Sequence, residues 1–268
     1  MRSFPHLGAG GIGMFLAACA DAPEAIPPGP TGADCPDATS AAPAAWLCTI
    51  GDRGAMLDRG DLSATVRLAD LPGDANLIAV GPVEGLRGEV TVYGGQAFVS
   101  TMRGGRRILL ARDEAEAVGA VFLAFGNTAD WHAVRIDRAL DGLAAVEAFV
   151  LGAAAATGLP TGPDAAFPFR IEGTPDRLRY HVIFRSDESE GHDRAMHSRS
   201  KVPFEADDRP SRIAGVLVAE RDVGRVTHSG QRTHLHAIVG DHGAPPQGAG
   251  HVDDLRLPEG TVLLLPNP

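Results

Sequence analysis

Apolar and polar positions along this chain alternate in short runs broken by glycine, proline and charged turns, a two-residue period that predicts β-strands. Residues 77–80, Leu-Ile-Ala-Val, read as one strand. Residues 89–99 read as a hairpin turning at Gly94-Gly95, with Glu89, Thr91 and Tyr93 on one face and Val90 and Val92 on the other. A further apolar strand is expected at 120–125. From 136 to 156 the period becomes helical, with Leu140, Leu143, Val146, Phe149 and Val150 on one side, Asp137 as a candidate cap and Gly158-Leu159-Pro160 as the stop. Strands resume at 169–173 and 178–184. In the latter, Leu178, Tyr180, Val182 and Phe184 form an apolar face, and Arg179, His181, Ile183 and Arg185 an opposite face that borders either a polar cavity or water. Residues 186–210 carry charge without apolar period and are expected to form a long mobile loop. Strands follow at 213–219, 233–239, 251–257 and 261–265.

The 268 residues suffice for one large domain or two modest ones, and 33 glycines with 20 prolines agree with many turns. A formal charge of −10 and the lack of any Lys/Arg stripe interleaved with aromatics exclude nucleic acid as a partner. At the amino terminus, Arg2, an apolar run from Leu7 to Ala18 and the sequence Leu16-Ala17-Ala18-Cys19 resemble a bacterial lipoprotein signal. The alternative is a buried N-terminal stretch. The signal reading makes residues 1–18 a removed export segment, Cys19 the lipidated residue, and 19–45 a Pro/Ala-rich tether. It places the chain outside the cytoplasm, periplasmic or extracellular, held to the cell envelope by lipid alone. Cys35 and Cys48 are expected either to form a disulfide or to remain free thiols; their spacing does not suit a thiolate metal site.

The chemistry concentrates in Thr233-His234-Leu235-His236 and Gly250-His251-Val252. On a strand, His234 and His236 share a face, and a third imidazole from His251 on a neighbouring strand completes the three-histidine shell that leaves a catalytic zinc an open position. His242 competes with His251 for the third place. A bare His-x-His also occurs as a structural or solvated pair.

Four segments in order resemble alpha-acetolactate decarboxylases: Gly81-Pro82-Val83-Glu84-Gly85-Leu86-Arg87-Gly88-Glu89, Arg170-Ile171-Glu172-Gly173, Gly215-Val216-Leu217-Val218, and the histidine segments above. The resemblance implies a β-rich α/β protein of two domains: a mixed-sheet domain at 46–160 and a smaller, barrel-like metal domain at 161–268. It implies zinc on His234, His236 and His251, Glu89 beside the metal as proton donor or relay, and an oxo-acid substrate that loses carbon dioxide to give acetoin. The oligomeric state stays open between monomer and homodimer.

The chain also departs from that pattern. The family carries an arginine eleven residues after the arginine of R-I-x-G, where it pairs the substrate carboxylate; here that position is His181, leaving Arg179 and Arg185 as candidate substitutes. The loop before His251 is four residues longer, Pro82 replaces a threonine, and seventeen residues follow His251, where family chains continue to a further carboxylate. Two functions therefore stand: a zinc-dependent carboxy-lyase, or a diverged exported lipoprotein that binds metal or ligand without turnover. A cupin has its glutamate and Pro-x-Gly in another order, an alpha-type carbonic anhydrase has a different aromatic context, and no Gly-x-Ser-x-Gly elbow is present.

Overall fold

Short turns between apolar runs join neighbouring strands as hairpins, and hairpins make antiparallel ladders. The computed structural model describes Cys35, residues 45–186 and residues 193–268. The expected export segment, Cys19 and nearly all of the tether lie outside the described residues. In chain order the first half contributes β1 (Ala45–Gly51), β2 (Val66–Arg67), β3 (Ile78–Pro82), β4 (Glu89–Tyr93), β5 (Gln96–Arg103), β6 (Arg106–Leu109), β7 (Gly119–Ala120) and β8 (Phe122–Thr128). The second contributes β9 (Trp131–Arg135), β10 (Leu140–Asp141), β11 (Phe167–Gly173), β12 (Arg177–Ile183), β13 (Lys201–Glu205) and β14 (Ser211–Leu217). It ends with β15 (Thr233–Val239), β16 (Gly248–Leu257) and β17 (Val262–Pro266). Helices are α1 (Arg53–Arg59), α2 (Arg112–Glu116), α3 (Leu143–Thr157) and α4 (Arg194–Arg199).

A six-stranded sheet, ordered β1-β8-β3-β4-β5-β6, packs on a nine-stranded sheet, ordered β13-β12-β16-β15-β14-β11-β17-β9 with β10 beside β16. Ile78, Val80, Phe98, Phe122 and Ala124 of the first meet Ile183, Ala214, Val216, Ile238 and Ala249 of the second in the core between them. The far face of the second sheet is covered by α3, whose Val146, Val150 and Ala154 are buried against Leu235, Ala237 and Val239. A third cluster, with Leu68 and Ala115, closes the outer face of the first sheet. Cys35 is disulfide-bonded to Cys48 of β1. Among the described residues no helix is long and apolar enough to cross a membrane.

Several expectations are corrected. The helix starts at Leu143, not near 136, and Gly142 rather than Asp137 occupies its cap position. The helix is Ala-rich and apolar on most sides, so periodicity does not mark its start, and Ile136 instead continues the β9 chain path, its N–H bonded to the Thr261 carbonyl. Segment 186–210 contains α4 and β13, an edge strand whose exposed positions hide the usual apolar signal. β9, β10 and α3 belong with the second sheet, so the division between the two layers falls after β8 and not at 160. The ladders of the first sheet are antiparallel throughout, where a mixed sheet was expected, and the histidine strands lie in the larger sheet.

Candidate metal centre

Alternation along β15 turns His234, His236 and Ile238 toward the first sheet, while Leu235, Ala237 and Val239 face α3. In the ladders, His251 of β16 stands opposite His236, and His181 of β12 opposite His251, so three imidazoles form a row across neighbouring strands. The approach of β12 requires glycine at 250, where a Cβ would stand 2.3 Å from the His181 carbonyl oxygen. His234, His236 and His251 are buried, and their ligand atoms lie within 4.8 Å of one another.

The nitrogens are ordered by what lies behind them. His234 Nδ1 donates to the Val226 carbonyl oxygen at 2.6 Å, which leaves its Nε2 as a lone pair pointing inward. That Nε2 is 2.9 Å from His251 Nδ1 and 3.2 Å from His236 Nε2. On the outer side, His236 Nδ1 is 3.0 Å from Thr91 Oγ1, and His251 Nε2 is 3.1 Å from His228 Nε2. Each ring thus has one nitrogen held by a protein group and one turned toward a common point, the arrangement in which metal-binding histidines are oriented. Burial, with repulsion from neighbouring rings second, lowers His234 to about 3 and holds His236 and His251 well below the ordinary histidine range. Neutral imidazoles with inward lone pairs can hold a first-row divalent cation, or share protons among themselves in its place.

Glu89 reaches this cluster from β4. It follows Gly88, whose backbone passes so close to Ser100 that a Cβ would lie 2.1 Å from the Ser100 carbonyl oxygen. Its carboxyl is 4% exposed, with Oε2 3.8 Å from His236 Nε2 and Oε1 3.8 Å from His181 Nε2. Burial raises its pKa well above the carboxylate range, although the Ile183 N–H donates to Oε1 at 3.2 Å and Lys201 acts the other way. His181 Nδ1 pairs with Asp253 Oδ2 at 2.7 Å, and Asp253 Oδ1 with Lys201 Nζ at 3.2 Å. Burial lowers the His181 pKa, and contact with Asp253 opposes that.

A cleft opens onto the cluster, bordered by Arg53 and Met56 of α1, His197 of α4, Phe122, Thr227 and His228 as well as Glu89, His181, His234 and His251. Glu89, His181, His234, His236 and His251 are thus brought together. Three candidates are not. Arg179 lies at the surface, held by Asp207, 3.0 Å from its Oδ2, and 3.4 Å from Glu205. Arg185 follows the end of β12, where its N–H bonds the Leu86 carbonyl, and does not border the cleft. His242 is exposed in the turn between β15 and β16. The first two fail because the cationic row of β12 runs past the edge of the site at both ends, and the third because a turn residue does not point between sheets. Missed from the sequence were His228, Arg53, Asp253 and Lys201. Only Asp253, two residues beyond His251, carried a local signal for its position.

No family model and no curated protein matches the sequence. Solved structures do match. The acetolactate decarboxylase of Bacillus subtilis subspecies spizizenii superposes with a TM-score of 0.62 at 18% identity, over 82% of this chain and 85% of the other. The alpha-acetolactate decarboxylase of Bacillus subtilis strain 168 gives 0.60 at 19% identity, over 82% and 84%. A Staphylococcus aureus protein of unknown function, described as similar to alpha-acetolactate decarboxylase, gives 0.60 at 17%, over 81% and 84%. The chain therefore has the acetolactate decarboxylase fold, with a buried cluster of histidines able to bind a metal between its two sheets.

Proposed function

We propose that this chain is a zinc-dependent decarboxylase that converts 2-acetolactate, or a related 2-hydroxy-3-oxo acid, to acetoin and carbon dioxide. The observation that carries the reading is the meeting of His234, His236 and His251 with a buried carboxyl, Glu89, 3.8 Å from the His236 ring. Nitrogens bound to one tetrahedral zinc stand about 3.3 Å apart. Two of the three inward separations, 2.9 and 3.2 Å, fit that spacing within a few tenths of an ångström, and all three lie within 4.8 Å. When bound, zinc supplies a Lewis acid for the oxygen on which negative charge grows.

Glu89 has the environment of a proton donor. As the bond to the carboxylate breaks, its electron pair passes into conjugation with the neighbouring carbonyl, and the carbon must then accept a proton. A carboxyl whose pKa burial raises well above the ordinary range is matched to that task, and it recovers its proton from water. The Ile183 N–H fixes one oxygen of Glu89, leaving the other toward the histidines. His181, oriented by Asp253, completes the wall beside Glu89. Purified full-length chain loaded with zinc is expected to release acetoin and carbon dioxide from racemic acetolactate. Full zinc occupancy without product would overturn the decarboxylase in favour of a metal- or ligand-binding protein of the same fold.

Export with a lipid on Cys19 belongs to the same proposal, supported by the Leu16-Ala17-Ala18-Cys19 sequence. Metabolic labelling with a radioactive fatty acid in a bacterial host is expected to mark the chain and to be abolished by Cys19→Ala. Equal labelling of both, or of neither, would remove the anchor.

A further inference from the structure

A 2-hydroxy-3-oxo acid enters the cleft as a monoanion, and most of what lines the cleft offers it no positive charge. His234 and His251 are candidate metal ligands, His181 is paired with Asp253, and Met56, Pro82 and Phe122 are apolar. Arg53 is the exception. Among the described residues it is the only lysine or arginine bordering the cleft. The other cations nearby are committed, Lys201 to Asp253 and Arg179 to Asp207.

We propose that Arg53 is the substrate anchor, its guanidinium receiving the carboxylate of the oxo acid while the hydroxyl and carbonyl end faces the histidines. The inference deepens the decarboxylase reading and rests on it for the choice of acid. Three further observations support it. Among the described residues no carboxylate lies within salt-bridge distance of the Arg53 guanidinium; Asp58, the acid that acts on it, pairs with Arg194 at 3.3 Å. The Arg53 backbone is fixed, its N–H donating to the Arg225 carbonyl at 2.7 Å, and Arg225 is three residues before His228. The start of α1 is thereby tied to the loop that carries His228. Finally, the cleft that Arg53 borders is also lined by His228, His234 and His251, so the guanidinium and the cluster share one opening.

The position also suits the reaction. The carboxylate loses its charge as carbon dioxide leaves, so an ion pair with it is stronger in the ground state than in the transition state. Arg53 should therefore govern affinity and the selection of acids over neutral ketols, and removing it should raise KM more than it lowers kcat.

The test compares full-length, zinc-loaded wild type with Arg53→Gln and Arg53→Lys by titration calorimetry. The probes are 2-hydroxyisobutyrate, a stable 2-hydroxy acid, and its uncharged amide. Wild type is expected to prefer the acid, and Arg53→Gln to lose roughly 10- to 100-fold in affinity for the acid, the range of a lost charge-assisted hydrogen-bonded pair, while its affinity for the amide is unchanged. Arg53→Lys should recover part of the loss. Zinc content is expected to be equal in all three. Unchanged acid affinity in Arg53→Gln, equal losses for acid and amide, or no acid binding by wild type would each overturn the anchor. Arg53-dependent acid binding without acetoin formation would overturn the decarboxylase and leave the anchor standing; acetoin formation with unaltered acid affinity in Arg53→Gln would do the reverse.

Discussion

Strand β4 sends Glu89, Thr91 and Tyr93 from one face toward the second sheet, and the two ends of that face meet different company. At the Tyr93 end the phenol donates to Glu172, and Arg170 lies over the Tyr93 ring at 4.7 Å and the Trp131 ring at 4.3 Å. Arg212 adds a second guanidinium, 5.6 Å above Tyr93. Positive groups there face a carboxylate and aromatic faces, so the cluster is matched in charge by the protein itself. At the Glu89 end the groups are alike: buried imidazoles with nitrogens 2.9–3.2 Å apart and one buried carboxyl whose pKa burial raises well above the ordinary range. The first end is a polar joint between the sheets. The second is a donor set able to hold a cation.

The sharpest way to break this contrast is to remove one ring. His236→Ala is expected to abolish stoichiometric zinc binding and to lower any decarboxylation by more than about 100-fold, since even the partners behind ligands are worth 10- to 100-fold. Elemental analysis beside the acetoin assay reads both. Tyr93→Phe, two residues beyond Thr91 on the same face, should keep its zinc. If the two variants lose metal alike, the ends do not differ as described.

Acid should separate them next. Burial lowers His234 to about 3 and His228 to about 4, and lowers His236 and His251 as well, from an ordinary value of 6.5. A histidine whose folded pKa lies below its unfolded one is protonated first in the unfolded chain. Its effect is absent above about pH 6.5, and stability falls as pH drops from there toward the folded pKa, by up to about 1.4 kcal/mol per pH unit for each fully buried ring. Glu89, shifted upward, has the opposite sign and offsets one of them above its unfolded pKa. Tyr93, raised by burial and by Glu172, does not titrate in this range. The zinc-free chain in chelator should therefore weaken steeply from pH 6.5 to 5 in denaturant titrations. A flat profile would mean that the rings are not buried neutral together.

The charged end gives a smaller effect of a different kind. Glu172→Gln removes the charge that accepts the Tyr93 hydrogen bond and faces Arg170, and is expected to cost about 1.5–3 kcal/mol of stability, the range for a hydrogen bond to a charged group. Zinc content should not move. A loss of metal in this variant would join the two clusters into one.

How much of this was legible depended on distance along the chain. The shared face of Glu89, Thr91 and Tyr93 and that of His234 and His236 follow from a two-residue period, which is local and survives in the fold. The choice of His251 over His242 needed the knowledge that one lies in a strand and the other in a turn, which spacing alone does not contain. His228 lies in a loop with no period, and Arg53 on a seven-residue helix far back in sequence; only the packing of the sheets brings them to the cleft. The edge strand β13 and the start of α3 were obscured for opposite reasons, one too polar to show a pattern and the other too uniformly apolar.

Arg179 marks the limit of reading by alternation, and it carries the smallest prediction. It shares a strand face with His181, two residues on, and by pattern alone either could serve the site. The first sheet covers only part of that face. His181 is 3% exposed and reaches Glu89, whereas the Arg179 side chain is about one-third exposed and bound to Asp207 and Glu205. Exposed ion pairs of this kind contribute little, because water and salt screen the charges and two long side chains must be held in place. Arg179→Ala should leave zinc content, acid binding and kcat/KM as in wild type, with a thermal midpoint shifted too little to distinguish. A large fall in kcat/KM, with the melting curve unchanged, would place the anion-binding cation at the Arg179 end of β12 and remove Arg53 from that role.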